Sequence, residues 1–524
     1  MTKYIKRSAL LLAAVAAVGC QDLIVENTNA PDRDRALAQA DAVEVLVAST
    51  FPKFWARMHR GTAGFYPLSM AGDEGTMSAN TNGARNVSEI PRIPFNNNPV
   101  VDDHAVAALY WGDMYEVLAN AGDVLKVIND GLRITTGDAG EDNTDRARMF
   151  AKLSQGLALG YIGLLFDQAY IFDENTPTQH LENPQRFLEL KPYPQVMARA
   201  FQFLAEAEEL ALTGPDFGIP ADWLYSPTEV SRNEVVRILN AYAARFQVLQ
   251  ARSPAERASL TDWNAVLTHI SKVQDDVVVA LGPGARDSQY LARTQHATAN
   301  PRMYAHPRLY GNADISGAYQ NWLNTDPQER ERFLVETPDR RLTGAAGPQS
   351  RGSRFDFRPN TNVDRSFGGY RESYYQFQGH LTPAGVRTWN SGEFAILPLR
   401  ELRLYEAEAR YRAGQYQQAA DLINVTRVGN GQLPPVTGQG TVPGGAECVP
   451  RTDAGACGDL WDALVYERMM ELSFIEPART FLDRRGLGTL FPGTMIHLPI
   501  PGSVLEILGI PRYTFGGGGE GSAP

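Results

Sequence analysis

The chain has 524 residues, 43% of them hydrophobic and 21% charged, the composition of a globular protein long enough to bury a large core. Its formal net charge of −11, with arginines scattered rather than clustered, repels phosphate backbones and excludes nucleic acid as a partner.

At the N-terminus Lys3, Lys6 and Arg7 precede an apolar run, residues 9–18, too short to span a bilayer core of roughly 30 Å as a helix. The run ends Ala17-Val18-Gly19-Cys20. Small residues before a cysteine, in that order, resemble the lipobox of bacterial lipoproteins, differing at Ala17, where Leu is usual. The resemblance implies that residues 1–19 are a signal peptide and that Cys20 is acylated, palmitate included. Each buried CH₂ of such chains adds about 0.8 kcal/mol of membrane affinity, enough for several chains to anchor the protein. Residues 20–35, rich in Asn, Asp and Pro, read as an extended tether.

Helical period governs most of the remaining chain. It covers 36–60, where Pro52 is expected to kink or split the run, then 102–130, 145–171 and 195–212. It continues at 231–251 and 261–280, opening on Ser231 and Thr261 as caps, and at 398–413, 416–428 and 460–484. Strand-like alternation is rare, so the expected fold is mainly α, built from antiparallel helical pairs. In residues 402–424, Ala407, Gly414, Tyr416, Ala419 and Ile423 have the spacing of a tetratricopeptide helix–turn–helix. The helix at 460–484 is expected to pack onto that pair and lock the scaffold. Two stretches lack the period, 61–99 and 282–393; the second holds one short helical candidate at 319–323. So long an irregular segment in a compact chain is functional or disordered, and its many aromatics argue against disorder. Cys448 and Cys457 predict one loop-closing disulfide, worth about 2–3 kcal/mol at most, in an oxidising compartment. Residues 516–524 form a glycine-rich tail, expected to be mobile.

Chemistry-bearing motifs are missing. None of the eight histidines lies in H-E-x-x-H, and there is no G-x-S-x-G elbow or phosphate-binding loop. Glu467 and Glu471 stand one helical turn apart and could form a hydrolase's carboxylate pair. Arg468, Arg479 and Asp483 beside them favour a structural ion network of these five residues. No catalytic residue, metal or cofactor is therefore expected.

Residues 466–486, YERMMELSFIEPARTFLDRRG, and 496–501, IHLPIP, resemble the C-terminal signature of the SusD/RagB family. The match lies in residues 394–512, and departs at Pro477, where that family commonly has Gly. The resemblance implies one domain over residues 36–515. Its fold would be a tetratricopeptide-like scaffold of helical pairs carrying a loop-rich, irregular ligand face, with 282–393 as the loop-rich insert. It further implies a non-catalytic outer-membrane lipoprotein, exposed at the cell surface. Such a protein binds oligosaccharides, or in some members peptides, and delivers them to a TonB-dependent, SusC-like barrel transporter.

A glycan site needs flat aromatic faces for the apolar side of sugar rings, and amides or guanidinium groups for hydroxyls. The irregular stretches offer Asp73, Asn96, Tyr304, Asn321, Trp322, Arg371, Tyr374 and Trp389. The bland alternative for each is that it packs its loop onto the scaffold. Two other functions compete: a secreted hydrolase with an unrecognised carboxylate pair, and a helical-repeat scaffold that binds only proteins.

Overall fold

The apolar stripe at 36–60 folds as two helices, α1 (Ala40–Ala48) and α2 (Thr50–His59), that meet at Ser49. Pro52 kinks neither: it occupies the first turn of α2, where a missing N–H leaves no hydrogen bond unmade. The computed structural model describes residues 33–59, 62–77, 80, 83–136, 140–182, 184–281, 303–359, 373–377, 392–476 and 478–524. Cys20 and most of its tether lie outside them, as do Arg371 and Trp389.

Residues 61–99 are less irregular than their sequence suggests. Helix α3 (Thr62–Ala71) runs through Pro67 and is followed by a short strand, β1 (Gly75–Met77). The long helices α4 (His104–Asn129), α5 (Thr144–Leu165) and α6 (Tyr193–Thr213) then pack side by side. α5 is the centre of this layer and is buried on nearly every side. Its glycines allow the close approach: a Cβ at Gly160 would overlap the Phe246 ring, and one at Gly156 would overlap Leu204.

Helix α7 (Arg232–Leu249) starts at a reciprocal Ser231–Glu234 capping box. The run at 261–280 does not stay helical. Its cap is Asp262, not Thr261; α8 (Trp263–Ile270) ends early, and the chain becomes strand β2 (Val277–Leu281). Three consecutive valines, restricted at χ1, favour the pleated form there, and pairing with β6 (Gly392–Leu397) completes it. Between them come β3 (Met303–Ala305), paired with β1, then α9 (Ala318–Asn324), and β4 (Phe355–Phe357), paired with β5 (Tyr375–Phe377). All these ladders are two-stranded and antiparallel, so the chain is mainly α.

Helices α10 (Leu399–Arg412) and α11 (Tyr416–Gly429) form the hairpin read from the repeat spacing, with Gly414 at φ +74° in the turn. The predicted helix at 460–484 is two helices, α12 (Leu460–Leu472) and α13 (Arg479–Leu487). Between them Ser473 is extended and Phe474 takes φ +58°. The Phe474 N–H, which an unbroken helix would bond internally, instead donates to Glu74 Oε1 at 2.6 Å. α12 packs on both α10 and α11 around Leu404, Ala407, Ile423, Leu460 and Leu464. The long helices α4 to α7 share one continuous core that runs from Val43 to Ala523.

The C-terminal tail is held in place rather than free. The Gly493 N–H donates to Ala523 O at 2.9 Å and the Ile496 N–H to Gly521 O at 2.9 Å, while Phe515 and Ala523 are buried. Composition predicted mobility, but backbone pairing with residues 493–496 supplies partners that composition cannot show. Cys448 and Cys457 are joined as a disulfide, Cα–Cα 5.3 Å. No helix among the described residues is long and apolar enough to cross a membrane.

Candidate functional site

Alternation in Phe355-Asp356-Phe357 and Tyr375-Gln376-Phe377 builds the β4–β5 ladder. Phe355 faces Phe377 in the core, their rings 5.5 Å apart, and Phe357 pairs with Tyr375 at the outer end. Tyr375 anchors the ladder from beneath. Its hydroxyl accepts from the Val335 N–H at 2.9 Å and donates to Pro348 O at 3.1 Å, and burial pushes it up to about 12. The Ser373 and Tyr310 hydroxyls bond at 2.9 Å.

On this support sits a half-buried aromatic shelf. The Phe357 and Tyr374 rings lie 5.4 Å apart, tilted by 36°, and the Arg332 guanidinium stands 4.3 Å over the Tyr374 ring. The Arg358 N–H fixes Tyr374 by donating to its carbonyl at 2.8 Å, and the Arg358 side chain pairs with Asp356 at 3.3 Å. Apolar ring surface beside guanidinium and carboxylate groups suits a ligand with one apolar face and many hydroxyls. Residues 360–372 and 378–391, which adjoin the shelf in sequence and carry Arg371 and Trp389, lie outside the described residues.

The other expected site residues are placed differently. Tyr304 and Trp322 are 3% and 4% exposed. Trp322 packs against His306, Tyr319 and Phe333 with Arg330 4.2 Å over its ring, so it serves as a prop for the loops. A large aromatic surface gains most from water exclusion, and here the loops themselves cover it. Asp73 is 1% exposed and belongs to an ion cluster, pairing with Arg92 at 2.6 Å, Arg308 at 3.2 Å and Arg484 at 3.6 Å. Burial pushes its carboxyl up, but Arg92, His306, Arg308 and Arg484 together outweigh it and hold the group well below the usual range. Asn321 is exposed on α9. Asn96 is exposed on a different segment, whose neighbours Phe95 and Asn97 bond to Phe515, Ile500 and Tyr513. Of the eight candidates, Tyr374 alone stands on the shelf among the described residues. Phe357, Arg332 and Asp356 were not singled out from sequence; the period-two pattern FDF, twenty residues before YQF, was the available signal.

Glu467 and Glu471 have no free oxygen to offer a substrate. Arg341 donates through Nη1 to both, at 2.7 and 2.8 Å, and through Nη2 to Glu467 at 2.8 Å and Asp339 at 2.6 Å. Thr426 also bonds Glu467 at 2.8 Å, while Arg354 and Asn430 bond Glu471 at 2.6 and 3.0 Å. Arg468 belongs to an adjoining cluster: it grips Asp483 through two nitrogens at 2.9 and 2.5 Å and also pairs with Glu408. Arg479 reaches Asp483 at 3.4 Å and caps α12 by donating to Leu472 O at 3.1 Å. All five are buried. The main partners of Glu467 and Glu471, Arg341 and Arg354, come from another part of the chain, whereas Asp483 is held chiefly by Arg468 within the network, with Arg257 at 3.2 Å. No group of three or more His, Cys, Asp or Glu among the described residues is placed to hold a metal ion.

No family model matches this chain, and no curated protein matches it by sequence. Its fold is that of solved SusD-superfamily structures. A SusD superfamily protein from Parabacteroides distasonis superposes with a TM-score of 0.56 over 90% of this chain and 97% of its own, at 12% identity. One from Bacteroides thetaiotaomicron gives 0.53 over 89% and 96%, also at 12% identity. A SusD-like carbohydrate binding protein from Bacteroides fragilis gives 0.53 over 93% and 95%, at 12% identity. At such identity the likeness is one of fold.

Proposed function

We propose that this chain, on its SusD-superfamily fold, is a non-catalytic nutrient-binding lipoprotein that captures a glycan on its loop-rich face. It then passes the glycan to a TonB-dependent, SusC-like barrel transporter in the outer membrane. The observation that carries the reading is the half-buried shelf of Phe357, Tyr374 and Arg332, fixed from beneath by the Tyr375 hydroxyl. The fold shared with the carbohydrate-binding protein from Bacteroides fragilis supports a glycan as ligand. The engagement of Glu467 and Glu471 by arginines supports a role without turnover.

Titration calorimetry of the soluble chain against linear hexasaccharides of α-1,4-glucose, β-1,4-glucose and β-1,4-xylose tests this. Tyr374→Ala is expected to weaken binding about tenfold, equivalent to about 1.4 kcal/mol, and to lower the melting temperature only slightly because the ring is partly exposed at the edge of the core. Released shorter sugars would show a hydrolase instead. The anchor is tested separately. Cys20→Ser is expected to move the protein from the membrane fraction to the soluble fraction with its fold intact. Membrane retention of the unacylated protein would contradict the anchor.

A further inference from the structure

Four helix ends converge on a second cleft, on the helical scaffold and formed by none of the loop-face residues. Trp263 opens α8, Tyr411 and Arg412 close α10, Tyr416 opens α11 and Trp461 lies in the first turn of α12. With Ala258 they line a cleft of about 680 Å³, within the size range of ligand pockets.

The cleft is built rather than incidental. Arg412 is held from behind by Glu408, to which it donates through Nε at 2.9 Å. Glu408 is fully buried and fixed in turn by two donations from Arg257, at 2.8 and 2.6 Å, and by Arg468. The held guanidinium stands 5.2 Å from the Trp263 ring and 5.3 Å from the Trp461 ring. Tyr411 lies 5.0 Å from Trp461, tilted by 45°, and 5.1 Å from Tyr416, tilted by 66°. The rings thus form a curved wall, and Tyr416 is 46% exposed at its lip.

The chemistry of this lining selects its occupant. Four aromatic residues around a cavity often mark a cage for a cation, but Arg412 already supplies the positive charge and disfavours a second. The lining holds no carboxylate, and its polar groups are N–H and O–H donors. It therefore suits a ring with an apolar face and several acceptor oxygens. A proline-rich peptide could use the same rings, but it rises about 3.1 Å per residue and needs an elongated groove, whereas only six residues line this cleft, Arg412 among them. We infer that the α8–α10–α11–α12 cleft is a second glycan site, taking one or two pyranose units of the same polymer that the loop face holds. This rests on the glycan-binding reading above. A chain bound at both places gains avidity from tethering alone.

The test uses the soluble chain, the three hexasaccharides and, as a separate probe, decaproline. Tyr416→Ala removes the ring at the lip, and Ala258→Trp fills the cleft from an exposed position without removing any ring. Thermal melts check that both variants remain folded. Calorimetry on the unmodified chain is expected to give two sugars per protein, falling to one in each cleft variant. Tyr374→Ala is expected to leave the cleft site occupied. A stoichiometry unchanged by both cleft variants, with binding lost only in Tyr374→Ala, overturns the second site and spares the loop face. Binding lost in the cleft variants but kept in Tyr374→Ala supports the cleft and overturns the loop-face site. Decaproline binding that Ala258→Trp abolishes, with no sugar bound there, overturns the inference in favour of a peptide groove. No sugar bound by any form overturns both readings together.

Discussion

Arg341→Ala is expected to cost the fold at least about 3–5 kcal/mol, the loss seen when one partner of a buried ion pair is removed, and to leave little native protein at 37 °C. The reason is geometric. Arg341 satisfies Asp339, Glu467 and Glu471 at once, and all four side chains are buried. Without it three carboxylates remain in the interior with a smaller share of positive charge. They must then stay ionised at high desolvation cost or take up protons. Urea denaturation followed by circular dichroism measures the loss. A decrease below about 1 kcal/mol, the range of a surface pair, would show that the array is solvated and not structural.

The same array sets an acid limit. Burial pushes the Glu471 carboxyl up, but Arg354, Arg341 and Arg400 outweigh it and hold it at about 2, below its ordinary value of 4.5. A depressed carboxyl contributes stability that is fully present above its unfolded value and is lost as pH falls toward the folded one. The stability that Glu471 contributes is therefore expected to be lost on acidification between about 4.5 and 2, opposed by Glu467, whose carboxyl burial pushes up, and Arg341→Ala is expected to flatten the Glu471 part.

Arg245→Ala is the second large effect, also about 3–5 kcal/mol. Arg245 bonds both oxygens of Glu401 at 2.8 Å and the Ile396 carbonyl at 2.9 Å, and it pairs with Glu476, which also accepts from Tyr161. It thus ties α5, α7, α10, strand β6 and the segment before α13 at one point. Arg245→Lys retains the charge but cannot serve this planar set of acceptors. Its expected loss is smaller, about 1.5–3 kcal/mol, because charge-assisted hydrogen bonds are lost without leaving the carboxylates wholly uncompensated. Equal losses for Ala and Lys would mean that fork geometry, and not charge, carries the stabilisation. No loss in either would remove this residue from the scaffold's supports.

The helices were legible without any structure, because a 3.6-residue apolar period is a local property. The α10–α11 hairpin showed in Ala407, Gly414, Ala419 and Ile423, and the ionic character of α12 in Glu467, Arg468 and Glu471. Where those helices stop, and whom the charges meet, depends on contacts between distant segments. Ser473 and Phe474 break the predicted helix because Glu74, some four hundred residues earlier, offers the Phe474 N–H a partner. Arg341 completes the acidic pair from a stretch with no period at all. The candidate site divided the same way. Composition announced a surface rich in Tyr, Trp and Arg, but could not say which rings the loops would bury. Trp322 went inside because Phe333 and Arg330 of the following loop pack on it, Tyr304 is buried within a two-stranded ladder, and Tyr374 stayed partly exposed because it lies just outside the end of another. Burial and charge pairing arise only when remote parts of the chain meet, so no local pattern encodes them.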